Sequence, residues 1–155
     1  MAILTEVDGR LQLDFADAEA AVLGDLLDRV ASLLSETDDN PVLARLLPDA
    51  HRDDPEVAVA HRELTEASLR QDKRADIDAV LAALPAGEGK AELVDPDAWL
   101  RALNDVRLML GVQLGITEDA EPPRRVRDQR DLQLSVYFWL TAVQDCLVEA
   151  VLSAG

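Results

Sequence analysis

The chain has 155 residues, enough for one domain that buries about 70% of its unfolded surface, and its 48% apolar content excludes disorder as the default. Asp and Glu number 31 against 15 Lys and Arg, a net charge of −16, which repels phosphate backbones and favours solubility and basic protein partners. No uninterrupted apolar run approaches the ~18 residues of a membrane helix, and the single cysteine, Cys146, cannot staple the chain to itself, so a reducing cytoplasm is the expected setting.

The first residues, Met1 to Glu6, carry no basic flank or long apolar stretch, so no signal peptide is expected. Asp8-Gly9 between Leu4, Val7, Leu11 and Leu13 predicts a two-residue β-hairpin over 3–14, which must lie against something else to be stable. Residues 17–36 predict an amphipathic helix with Val22, Leu23, Leu26, Leu27, Val30, Leu33 and Leu34 on one face. Ser35 to Asn40 is a polar break. One helix-starting device then occurs three times, at Asn40-Pro41, Asp54-Pro55 and Asp95-Pro96. The Asn or Asp caps free amides, and proline at the first helical position has no N–H to leave unbonded. These starts predict helices over 41–47, 55–84 and 96–114. Pro85 to Gly89 ends the second, Ala91–Val94 reads as a short strand able to join the hairpin, and Gly115 is placed for a left-handed cap. Residues 115–130, with Pro122-Pro123, read as a mobile loop. In 131–153, Leu132, Leu134, Val136 and Phe138 alternate as in a strand. The helical spacing of Val136, Trp139, Leu140, Val143, Leu147 and Val151 makes helix the better reading. The expected fold is one mainly α domain, a bundle of four to five helices with a small N-terminal hairpin.

Familiar catalytic signatures are missing. Gly87-Glu-Gly89 lacks the Lys-Ser/Thr of a phosphate loop, and no Gly-x-Ser-x-Gly elbow occurs. His51 and His61 stand ten apart, which cannot grip a metal from one helical face. Asp49, His51, Asp53 and Asp54 lack calcium-loop spacing and read as a solvated loop and helix cap. No metal, cofactor or enzymatic activity is expected.

Polar residues inside the predicted helices are the chain's most individual feature. Asn104 shares a stripe with Leu100 and Leu108, Arg101 and Asp105 are spaced for an i,i+4 pair, and Arg107 lies in the same helix. Gln144 falls between Leu140 and Leu147. Leu64, Ala67, Gln71 and Arg74 share a face that turns apolar again at Ile77, Val80 and Leu81, so Arg70, Lys73 and Arg74 could reach Asp105 or Asn104. Two readings stand: a polar network that fixes helix register, or a pocket for a small anionic ligand, binding or enzymatic. Cys146, on a stripe with Trp139, Ala142, Val143 and Ala150, reads as a small buried apolar residue or, if exposed, a redox candidate. Arg124, Arg125, Arg127 and Arg130 are the concentrated basic run. They read as loop charges pairing with the acidic body, or as a weak, salt-sensitive nucleic-acid contact. Apolar residues on more than one face of the last helix fit either a homodimer seam or a buried central helix.

Leu43 to Pro55, Leu64-Thr-Glu with Leu69-Arg and Lys73, Ala98 to Leu108 with Leu110-Gly111, and Val136 to Leu140 with Gln144-Asp145 and Leu147-Val148 resemble an actinobacterial domain-of-unknown-function family. That family includes oxidative-stress transcriptional regulators (AosR). The resemblance implies a cytoplasmic regulator acting with RNA polymerase or a sigma factor; together with the missing catalytic motifs and the acidic surface, the expectation is a non-enzymatic protein working through a protein partner. The resemblance also implies a Cys-x-x-x-Cys redox switch near the C-terminus, from which this chain departs: Ala142 and Ala150 stand four residues either side of Cys146. Thiol sensing here would need a second chain or a small thiol.

Overall fold

The computed structural model describes residues 3–36, 40–47 and 55–154. The hairpin forms as β1 (Ile3–Val7) and β2 (Arg10–Phe15), with Val7 opposite Arg10. Asp8 and Gly9 both take positive φ, 53° and 80°, the pairing a tight two-residue turn demands. Leu11, Leu13 and Phe15 alternate into the core, while the residues between them face outward. A third strand, β3 (Gly89–Glu92), pairs antiparallel with β2 in the order β1-β2-β3. It sits two residues before its expected position. Ala91 and Leu93 must both point inward, which sets the register, and Val94 is left 87% exposed.

Helix α1 (Glu19–Leu34) begins two residues later than its periodicity predicts. Ala18 is left-handed at φ 68°, and the Glu19 carboxylate accepts from the Ala16 amide at 2.6 Å, so the chain turns before the helix starts. Helix α2 (Pro41–Leu46) is capped as expected, with Asn40 Oδ1 accepting from the Val42 amide at 2.8 Å. Helix α3 spans Pro55–Ala83 and helix α4 Pro96–Leu114. Asp95 caps α4 by accepting from the Ala98 amide at 3.3 Å. Gly115, at φ 63°, ends α4, where its amide donates to Val112 and that of Ile116 to Gly111. Asp95→Ala is expected to cost about 1 kcal/mol in urea unfolding, the usual worth of an N-cap.

The closing segment is helix α5 (Gln129–Ala154), which settles the strand-or-helix ambiguity. It starts at Gln129 because Asp128 Oδ1 accepts from the Asp131 amide at 2.8 Å, and Asp131 in return accepts from the Arg127 amide at 3.1 Å. Although polar residues interrupt it, α5 is by length and composition alone apolar enough to cross a membrane, and only 17% of that apolar window is buried within the fold.

Helix α4 is the hub, packing against α1, α2, α3 and α5. Its Trp99, Ala102, Leu103, Val106, Met109 and Leu110 are buried. Phe15 stacks on Trp99 at 6.4 Å between centroids and meets Trp139 edge-on at 6.5 Å, joining sheet, α4 and α5 in one core.

Candidate functional site

Two polar groupings lie on different sides of α4. The first is a seam between α3 and α4. Lys73 Nζ donates to both Asp105 oxygens, at 2.8 and 3.0 Å, and the Asp105 side chain is 4% exposed. Burial pushes the Asp105 carboxyl above its ordinary pKa, while Lys73 pulls it back down by hydrogen bond and charge. Next to this pair, Arg101 donates through Nε and Nη2 to Asp76 at 2.8 and 3.0 Å.

Arg101 therefore pairs across to α3, and the expected i,i+4 contact with Asp105 does not form. Asp105 points into the α3 interface and takes Lys73, whereas Arg101 lies nearer solvent. Arg70 donates to the Leu34 carbonyl and to Glu66, tying α3 to the end of α1. Arg74 donates to Asp78 on its own helix. The face carrying Leu64, Ala67, Gln71 and Arg74 is exposed throughout, Leu64 at 75%. The inward residues of α3 are Lys73, Asp76, Ile77 and Val80, offset from that stripe. Arg74 and Asp105 thus form no pocket together with Asn104.

Asn104 departs from its sequence reading as well. The buried arc of α4 passes through Ala102, Leu103, Asp105 and Val106, which turns Asn104 outward. It lines the second grouping, a cleft of about 340 Å³ bordered by α2, α4 and α5. Arg107 stands in this cleft. Its Nη1 donates to Gln144 Oε1, and its guanidinium lies 5.5 Å from the Tyr137 ring centroid. Gln144, flagged as an amide among apolar neighbours, finds its partner here. Sequence reasoning missed four members of the cleft, Arg45, Val112, Ile116 and Tyr137. Arg45 carried a signal, being the one charged residue in the apolar hexapeptide of α2.

Cys146 is exposed, so the reading as a buried apolar residue fails; α5 turns Leu140, Val143 and Leu147 to the core instead. Arg124, Arg125, Arg127 and Arg130 are all exposed on or beside the connection into α5. Arg130 donates to the Leu114 carbonyl at 2.8 Å, and none of the four makes an ion pair among the described residues. No three His, Cys, Asp or Glu side chains gather to hold a metal among the described residues. Asp49, His51, Asp53 and Asp54 lie outside those residues, as does the side chain of His61.

The outer side of α5 is the remaining feature. Phe138, Ala142, Asp145 and Glu149 follow one another at helical spacing, opposite the buried Leu140, Val143 and Leu147; Phe138 and Ala142 are half-buried, and Leu134, one turn earlier, packs against the core. Apolar side chains thus give way to carboxylates along one strip. Leu132, Val148 and Leu152 are also exposed, the last at 74%.

Comparison with known proteins finds relatives longer than this chain. An oxidative stress regulator AosR of Mycobacterium bovis is 32% identical over 178 residues, covering 90% of this chain and 81% of that protein. The AosR of Mycobacterium tuberculosis gives the same figures. A Mycobacterium leprae protein of the same name is 35% identical over 132 residues, covering 74% of this chain and 60% of its own. The chain thus spans three-fifths to four-fifths of these relatives. No solved structure matches it. Its mycobacterial relatives are named oxidative stress regulators, and the family described as Domain of unknown function (DUF2017) matches residues 1–151, so the chain belongs to the DUF2017 family.

Proposed function

We propose that this protein is a non-enzymatic, cytoplasmic regulator that works by docking a protein partner on the outer strip of α5, with the transcription machinery as that partner. The observation that carries this is the strip itself. The half-buried Phe138 and Ala142 offer an apolar ridge, and the exposed Asp145 and Glu149 continue it as a carboxylate end. Such a ridge fits an apolar groove with a basic rim, and the net charge of −16 steers a basic surface toward it. The names of the mycobacterial relatives support a regulatory role. The polar seam between α3 and α4 is internally bonded, Lys73 to Asp105 and Arg101 to Asp76, which supports its reading as a fastener.

The test is binding of purified RNA polymerase core and sigma factors to the immobilised full chain, with and without oxidant. Wild-type protein is expected to bind one of them, and Phe138→Asp to weaken that binding at least about tenfold, as for an interface anchor. Absence of binding to every component, or binding indifferent to Phe138→Asp, overturns the reading.

A further inference from the structure

The cleft between α2, α4 and α5 stands out against the charge of the chain. One residue in five is Asp or Glu, yet among the described residues no carboxylate lines this cleft. Arg45 and Arg107 do, with the Asn104 amide between apolar walls made by Leu108, Val112 and Ile116. On α3 and α4 the other described cations are paired with carboxylates, Arg70 with Glu66, Lys73 with Asp105, Arg74 with Asp78 and Arg101 with Asp76, whereas Arg29 on α1 and Arg130 on α5 donate to the neutral oxygens of Gln113 and Leu114. Neither cleft arginine has a carboxylate among the described residues.

Arg107 is also held in place. Gln144 takes one Nη donor and Tyr137 presents its ring to the guanidinium, so the fork has a fixed position before any ligand arrives. Its Nε is buried with no hydrogen-bond partner among the described residues, so the group makes fewer bonds than it can. The C-terminus of α4 borders the same cleft and would normally oppose an anion. Its carbonyls are already engaged, Val112 and Gly111 by the amides of Gly115 and Ile116, and Leu114 by Arg130. Arg130 therefore brings a third guanidinium to within one residue of the Gly115 end.

The geometry points to a binding site for one small organic anion: a phosphate or carboxylate head held by Arg45, Arg107 and Asn104, with a compact apolar body against Leu108, Val112 and Ile116. Guanidinium forks match the oxygen geometry of both heads. A volume of about 340 Å³ suits a ligand of roughly one ring and its head group. The cleft adjoins the α5 docking strip through Tyr137, whose ring meets Phe138 edge-on at 5.4 Å, but Arg45 lies on α2 away from that strip, so Arg45→Gln tests the anion site separately from partner docking.

Titration calorimetry on the full chain tests it, with phenyl phosphate and benzoate as probes and benzyl alcohol as the uncharged comparison. One saturable site per chain is expected for phenyl phosphate, benzoate or both, and the pattern identifies the head group. Binding should fall about tenfold or more in Arg45→Gln and in Arg107→Gln, and weaken steeply as salt rises. Arg101→Gln, on the opposite seam, should bind as wild type. Arg45 is exposed on a short helix, so its variant keeps the fold and preserves the test if Arg107→Gln unfolds. The site is overturned if neither anion binds at millimolar concentration, if benzyl alcohol binds equally well, or if a folded arginine variant binds undiminished.

Discussion

Lys73→Met is expected to destabilise the protein by about 3–5 kcal/mol at neutral pH, because it strands a buried carboxylate. Asp105 is 3% exposed, and both its oxygens are satisfied by Lys73 Nζ. Burial is the largest influence on Asp105 and raises its pKa; the hydrogen bond and charge of Lys73 oppose that rise. A carboxyl whose pKa is higher folded than unfolded takes up its proton more readily in the native state. Its contribution to stability is complete below the ordinary aspartate value and is lost as pH rises through the raised one. Without Lys73 the pKa climbs further and the loss above it grows. The difference in urea midpoint between wild type and variant should therefore be widest at alkaline pH and shrink on acidification through the raised range of Asp105. A difference independent of pH would show that Asp105 is not the group left stranded. The double variant Lys73→Met with Asp105→Leu should recover most of the loss, since an apolar pair of similar volume replaces a buried ion pair at little cost.

Phe15→Ala should lower stability by about 3–5 kcal/mol, the range for deleting a buried aromatic ring. Phe15 is 1% exposed and touches both tryptophans, Trp99 on α4 and Trp139 on α5. Removing it opens a cavity where sheet and helices meet, and neither neighbour can collapse into the space without leaving its own helix packing. Tryptophan fluorescence reports the change directly: emission should shift to the red as water reaches the two indoles, together with a lower urea midpoint. Phe15→Leu keeps most of the volume and should cost about 1–1.5 kcal/mol. An unshifted emission spectrum in Phe15→Ala would mean that the ring is not what keeps the indoles dry.

The local signals were legible because each acts within a few residues. Asp8-Gly9 supplied both positive-φ positions of the hairpin, Asn40-Pro41 and Asp95-Pro96 started their helices, and Gly115 ended α4. Apolar spacing placed α1 and resolved α5 in favour of helix. The site was only half legible. Gln144 and Arg107 were singled out separately as polar residues in apolar company, and the fold joins them.

What the sequence by itself determined was the set of elements, the acidic surface and the presence of polar residues that needed partners. What only the tertiary structure decided was the partner of each one. Arg101 could satisfy Asp105 along its own helix, yet α3 offers Asp76 to Arg101 and Lys73 to Asp105. Asn104 belonged to an apolar stripe on paper, but α4 packs on several neighbours at once and its buried arc passes through Asp105 instead. Arg45 met Arg107 across 62 positions of chain because α2 packs beside α4. The physical reason is range: caps and turns are closed by atoms a few residues apart, whereas helix rotation is set by the total apolar area each neighbour can bury, which no single segment encodes.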